Sequence, residues 1–336
     1  MGQKSRAVRT GSEGCTIRYG DAVSRTAARA VLIGLTVTVW IAAYGVFGFR
    51  PTRPDGDAWN YLAAGERLNA GHPLYALRAD DRPVVLVPPY WSVPLLSPPP
   101  IAVAWRVLAP LGDLAMILWG LACLATTLVG QVILLVRGNL RVTMVATALA
   151  APLAIQGLSG NVNGLLFGGL LAAWALRDRA LPVGAVVAIG VAIKLTPGLL
   201  AIWLVKAGRW QALVATVATG TVIGLVSLVG AGVDNHIDWL RSVPTSQPAP
   251  GSLATLFGVS PLVVLVVLGA IAVVVARLGD ARWAFAGAVV ATTLASPALY
   301  LGHLGLAAAA LAPWLTSGRL AVPRPIIDRR PQSASP

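Results

Sequence analysis

Charged side chains are scarce: they make up 12% of the 336 residues, about half the share found in soluble globular domains. That shortfall excludes a water-soluble enzyme, a disordered tail and a disulfide-stapled secreted module, and points to lipid as the solvent. Cysteine is almost absent. Cys15 lies in a basic stretch and Cys123 in an apolar run, so no disulfide framework is available. Acids are outnumbered, with 13 Asp and Glu against 26 Lys and Arg, for a net charge of +13. The basic residues do not build a face that would grip nucleic acid. They punctuate apolar runs and read as topology signals. Also missing are a phosphate-cradling glycine loop, a nucleophile elbow and a metal-ligand cluster. His236 and Asp238 are two ligand types without a third. The chain is therefore expected to hold no metal and no cofactor and to bind no nucleic acid.

What is present is hydrophobic sequence, 56% of the chain with a mean hydropathy of +0.74. A crossing helix needs about 20 apolar residues. Ala30–Phe49, Leu114–Val136 and Trp210–Val233 each meet that length. Val142–Leu176 holds two spans around Gly157-Leu-Ser-Gly-Asn-Val-Asn-Gly164, and Trp283–Gly318 holds two around Ser296-Pro297 and the stretch to His303. Ser242–Ala276 opens as a loop and becomes a span near Leu256. The fold class expected is all-α: a multi-pass integral membrane protein of about ten helices, some short or broken. Its domains read as a basic cytoplasmic tail (1–29), a transmembrane domain (30–318) and a C-terminal cytoplasmic tail (319–336). Residues 50–112 form a first extracytoplasmic loop carrying interfacial helices. The polar N-terminal stretch is too long for a cleavable signal and reads as the flank of a signal anchor.

Orientation follows from the basic residues. With both termini in the cytoplasm of a cell (plasma) membrane protein, Arg137/Arg141, Arg177/Arg179, Lys206/Arg209 and Arg277/Arg282 all fall inside. The assignment carries two conditions. Pro94–Leu111 must not cross, and Leu181–Val205 must turn back at Lys194–Pro197, as broken helices at membrane sites do. The polar residues that topology does not explain then share the outer face.

Among them, Asp57 and Tyr61 are four apart and share a helix face. Asp57 reads either as a general base at the lip of a membrane cavity or as a helix N-cap. Asp55 reads as a turn residue beside Gly56, and Pro88-Pro89 and Pro98-Pro99-Pro100 as residues that fix loop geometry. Lys194, in Ala192-Ile-Lys-Leu-Thr-Pro197, is an ionisable group in apolar surroundings. Its natural partner is an anion such as a lipid phosphate, and the alternative is a side chain snorkelling to the interface. Asn161 and Asn163 lie at a helix start, where N-capping by Asn163 is the simpler reading. His303 by itself reads as a hydrogen-bonded interface residue.

Several blocks together resemble glycosyltransferase family 87. They are Asp57-Ala-Trp-Asn-Tyr-Leu-Ala-Ala-Gly65, Gly71-His-Pro-Leu-Tyr75, Ser97-Pro-Pro-Pro-Ile101, Gly160-Asn-Val-Asn-Gly-Leu-Leu166 and Ala192-Ile-Lys-Leu-Thr-Pro-Gly198. They run in order from Asp57 to His303. The sequence departs from the family pattern at Leu96-Ser97, at Asn161 and at Gly302. The resemblance implies a polyprenyl-phosphate-mannose donor taken from membrane lipid, and a glycolipid or glycan acceptor. It implies an inverting hexosyl transfer, of the α-1,2-mannosyltransferase kind, on the extracytoplasmic face in cell-envelope biosynthesis. It further implies Asp57 as catalytic base and Lys194 at the donor phosphate. His303, Tyr61, Asn161 and Asn163 are implied as donor- or acceptor-binding residues. Two other readings compete: a membrane transporter or lipid flippase, and a catalytically inactive relative that supports an envelope complex.

Overall fold

The computed structural model describes residues 13–53, 56–76, 95–245 and 248–315. Asp55, Pro88-Pro89 and the expected C-terminal tail lie outside the described residues. Thirteen α-helices follow in order among the described residues. They are α1 (Glu13–Phe47), α2 (Asp57–Asn69), α3 (Pro99–Leu108), α4 (Asp113–Arg137), α5 (Leu140–Ala148), α6 (Ala150–Leu158) and α7 (Asn163–Ala175), then α8 (Ala180–Ile193), α9 (Leu200–Lys206), α10 (Trp210–Thr245), α11 (Leu253–Phe257), α12 (Pro261–Leu278) and α13 (Ala281–Leu294). Tight 3₁₀ segments cover Ala109–Leu111, Thr196–Leu199 and Leu301–Trp314. No strand occurs among the described residues. The chain is an all-helical, multi-pass membrane protein. Ser24–Phe47, Asp113–Arg137, Trp210–Ser242 and Pro261–Leu278 are each long and apolar enough to cross, and the bent pair α5 and α6 offers a fifth span.

Helix boundaries follow local chemistry. Proline explains the two sharpest breaks, because it lacks an N–H and clashes with the carbonyl four residues back. Pro152 ends α5 at Ala148, and α6 departs at 53°. Pro197 likewise ends α8 at Ile193. Four differences from the sequence reading have similar causes. First, α1 runs back to Glu13 because no proline interrupts propagation from the apolar span into the basic flank. Second, the span expected to stop at Val233 continues as α10 to Thr245 through a break at Gly232 (φ 80°). Third, Leu256 belongs to the short α11, closed by left-handed Gly258, and the span begins at Pro261 behind the Ser260 cap. Fourth, Pro99-Pro100 does not sit in a loop but opens α3, where the missing N–H costs nothing.

The bundle has two chemically distinct ends. At one, Arg29 of α1 donates to Leu135 O and Val136 O, the unpaired carbonyls closing α4, at 2.9 and 3.0 Å. Gly138 pairs with Leu315, and Arg209 meets Asp178 at 2.6 Å. Arg177 lies over the Trp174 ring, which packs against Trp203 and Phe285. The opposite end collects Gly48–Arg50, Leu158–Asn163, Lys194 and Ser296–His303. At 1.5 Å per residue, α7, α8 and α13 are about 20 Å long, against a hydrocarbon core of about 30 Å. Each is therefore shorter than that core is thick. α3 is also too short to cross.

Small residues let these short helices approach closely. A Cβ on Gly184 of α8 would lie 2.5 Å from Ala215 Cβ and 2.7 Å from Thr216 N of α10. Gly184→Val should therefore force α8 off α10 and destabilise the fold by about 3 kcal/mol. Its midpoint of thermal aggregation in detergent is expected several degrees below that of the parent, and an equal midpoint contradicts the packing.

Candidate active site

The far end is roofed by α2 and α3, which touch backbone to backbone. A Cβ on Gly65 would lie 2.6 Å from Trp105 O. Beneath them Tyr61, Trp105 and Trp119 pack tilted or edge to face, with centroids 5.4 to 6.0 Å apart. This aromatic platform fixes the start of α2 and, with it, Asp57.

Asp57 is not an N-cap. Gly56 occupies that position, and Asp57 is the first helical residue. Its carboxylate turns to a segment 105 residues away, where Oδ2 accepts the amide of Val162 at 2.9 Å. Val162 begins α7, so the carboxylate sits at the positive end of that helix. Asn163 is not an N-cap either. Val162 takes that position, and the Asn163 side chain instead accepts Lys194 Nζ at 2.9 Å. Asn161 Oδ1 accepts Asn163 N at 2.9 Å, and its amide nitrogen lies 3.4 Å from His303 Nε2. His303 is buried, with Nδ1 accepting Tyr300 N. The turn bearing these contacts needs glycine. Gly160 has φ 64°, and its carbonyl accepts Trp119 Nε1 at 3.0 Å.

Three consecutive residues, 161 to 163, thus hold the imidazole, the carboxylate and the ammonium. Those groups come from α2, the α8 break and the start of the last 3₁₀ segment. Asp57 keeps some surface but is densely surrounded by protein. Burial raises its carboxyl above the ordinary value, while the Lys194 charge and the Val162 amide pull it back. Such a group accepts a proton more readily than an exposed aspartate.

Lys194 closes α8 in extended conformation (φ −145°, ψ 139°). The residue lines a largely apolar cavity of about 340 Å³ together with Ser97, Trp239, Leu262, Ser296 and Pro297. Tyr61 is buried and does not line that cavity. Its hydroxyl reaches Ser97 Oγ at 3.3 Å.

The sequence reading missed three contributors. Val162 acts through its main chain, which no residue type reveals. Trp239 sits beyond the Gly232 break, past Val233 where the span was expected to stop. Ser97 had a signal in the Ser-Pro-Pro-Pro block. His236 and Asp238 take other partners: His236 bonds Ser227 and Gly232 O, and Asp238 pairs with Arg241. Among the described residues no three metal-ligating side chains cluster.

The chain is 28% identical over 306 residues to the polyprenol-phosphate-mannose-dependent alpha-(1-2)-phosphatidylinositol mannoside mannosyltransferase of Mycolicibacterium smegmatis. That alignment covers 80% of this chain and 67% of the relative. No solved structure matches. The model of glycosyltransferase family 87 matches residues 88–315, a stretch that includes Asn163, Lys194, His303 and most of the cavity wall, and the chain belongs to that family.

Proposed function

We propose that the chain moves mannose from a polyprenyl-phosphate-mannose donor to a hydroxyl of a cell-envelope glycolipid or glycan. Transfer takes place on the extracytoplasmic face of the plasma membrane, with both termini in the cytoplasm. The orientation rests on the concentration of arginines at one end of the bundle, which favours the cytoplasm. The observation that carries the chemistry is the convergence of Asp57 and Lys194 on one turn beside an apolar cavity that Lys194 lines.

In the reaction, Asp57 takes the proton of the acceptor hydroxyl as that oxygen attacks the anomeric carbon. The new C–O bond forms, the bond from that carbon to the phosphate oxygen breaks, and its electron pair leaves with the phosphate. One displacement inverts the anomeric centre. Lys194 offsets the charge growing on the departing phosphate, an effect of a few kcal/mol in a water-poor site. Phosphate is a good leaving group, so a second carboxylic acid is not required. The cavity suits the first isoprene units behind that phosphate, and His303 faces the same turn to meet phosphate or acceptor.

The relative's acceptor is a phosphatidylinositol mannoside and its linkage α-(1-2), which makes that lipid and linkage the first to test. The transporter reading needs polar groups reachable from both sides, whereas the polar groups here gather at one end. Purified protein given lipid-linked mannose and a panel of acceptors, followed by mass spectrometry, tests the proposal. A gain of one hexose on an acceptor supports it, and the absence of transfer to every acceptor favours the inactive-relative reading.

A further inference from the structure

Lys194 has an unusual partner for a cation in an apolar setting. Its ammonium is held at 2.9 Å by the amide oxygen of Asn163, a neutral group. The two residues occupy different positions relative to the cavity. Lys194 lines it, whereas Asn163 is 2% exposed and does not. Asn163 is in turn fixed by its own main chain, whose amide donates to Asn161 Oδ1 at 2.9 Å. Gly164 beside it is pressed against α4, where a Cβ would lie 2.8 Å from Cys123 O. The asparagine is therefore locked from behind, and its oxygen faces the lysine.

We propose that Asn163 is a positioning residue that holds the Lys194 ammonium beside the cavity without adding a second negative charge to that of Asp57. Ammonium groups at depth pair most cheaply with carboxylates. A carboxylate at this position would hold Lys194 equally well but cancel the field that an incoming phosphodiester needs. A neutral oxygen supplies one hydrogen bond and no charge. Asp57, the acid whose charge interacts with Lys194, is engaged by Val162 N and is reserved for the proton. Asn163 thereby selects an anionic headgroup without touching it. This rests on the reading that Lys194 receives the donor phosphate, and it gives Asn163 an indirect role in place of direct substrate binding.

The test uses full-length protein in nanodiscs and measures affinity for unreactive polyprenyl phosphate alongside KM and kcat for transfer. Asn163→Asp preserves shape and adds one negative charge. It is expected to weaken polyprenyl phosphate binding about thirtyfold, the scale of a charge-assisted interaction, with KM rising more than kcat falls. Lys194→Met should weaken binding as strongly, and the uncharged Asn163→Ser combined with Lys194→Met should be no weaker than Lys194→Met alone. A merely structural asparagine predicts additive losses in that pair. If Asn163→Asp does not accumulate as a monodisperse species, Asn163→Ser carries the test. It removes the amide oxygen without adding charge and should weaken binding about fivefold, by loss of one hydrogen bond. Unchanged binding in the Asn163 variants, with binding lost in Lys194→Met, overturns the positioning role. Unchanged binding in Lys194→Met instead overturns the assignment of Lys194 to the phosphate.

Discussion

Replacing Asp57 by asparagine is expected to lower mannose transfer about a thousandfold, the usual worth of a positioned general base, with membrane insertion and thermal stability close to those of the parent. The substitution is nearly isosteric, and an asparagine oxygen still accepts the Val162 amide at the start of α7. Lost turnover therefore reports lost basicity rather than a displaced turn. Asp57→Glu keeps the carboxylate but pushes it about one bond further, so part of the rate should survive. The pH profile adds a second reading. The base works only when deprotonated, so the rate rises as pH rises through the carboxyl's pKa. Burial holds that value above the ordinary one, which moves the acid limb of the kcat profile to higher pH than an exposed aspartate would give. In Asp57→Asn the limb should vanish with the activity. Transfer at the parental rate by Asp57→Asn removes Asp57 from the mechanism.

Lys194→Met is the second large effect. It removes the ammonium and keeps a side chain of similar length in the cavity wall, and kcat/KM should fall about a hundredfold. Two consequences separate a charge effect from a packing effect. The ammonium is one of the influences that pull the Asp57 carboxyl down, so its removal should shift the acid limb further toward high pH. Arginine should restore only part of the rate. Its guanidinium retains the charge but is broader than the single ammonium that Asn163 Oδ1 accepts. Parental kinetics in Lys194→Met, together with an unmoved acid limb, contradicts its place beside the phosphate.

Much of this architecture was legible residue by residue. The spans at α4 and α12 follow from uncharged length, and the turn-back after α8 from a lysine and a proline three residues apart. Lys194 was conspicuous because a charge in an apolar run has few explanations. Other features were hidden for physical reasons. The capping roles given to Asp57 and Asn163 are the usual ones for those residue types, and in both cases a long-range partner outcompeted the local one. Trp239 was invisible because its helix continues past a glycine with positive φ, a conformation the sequence permits but does not require.

Composition and periodicity alone determined the solvent, the helical class, the basic end and the identities of the ionisable groups, because each depends on transfer energies or on residues close in sequence. Tertiary structure decided which of those groups meet. The Asp57 carboxylate finds Val162 105 residues away, and Lys194 finds Asn163 across 31. Those meetings are a property of how the helices pack, which no local stretch of sequence encodes.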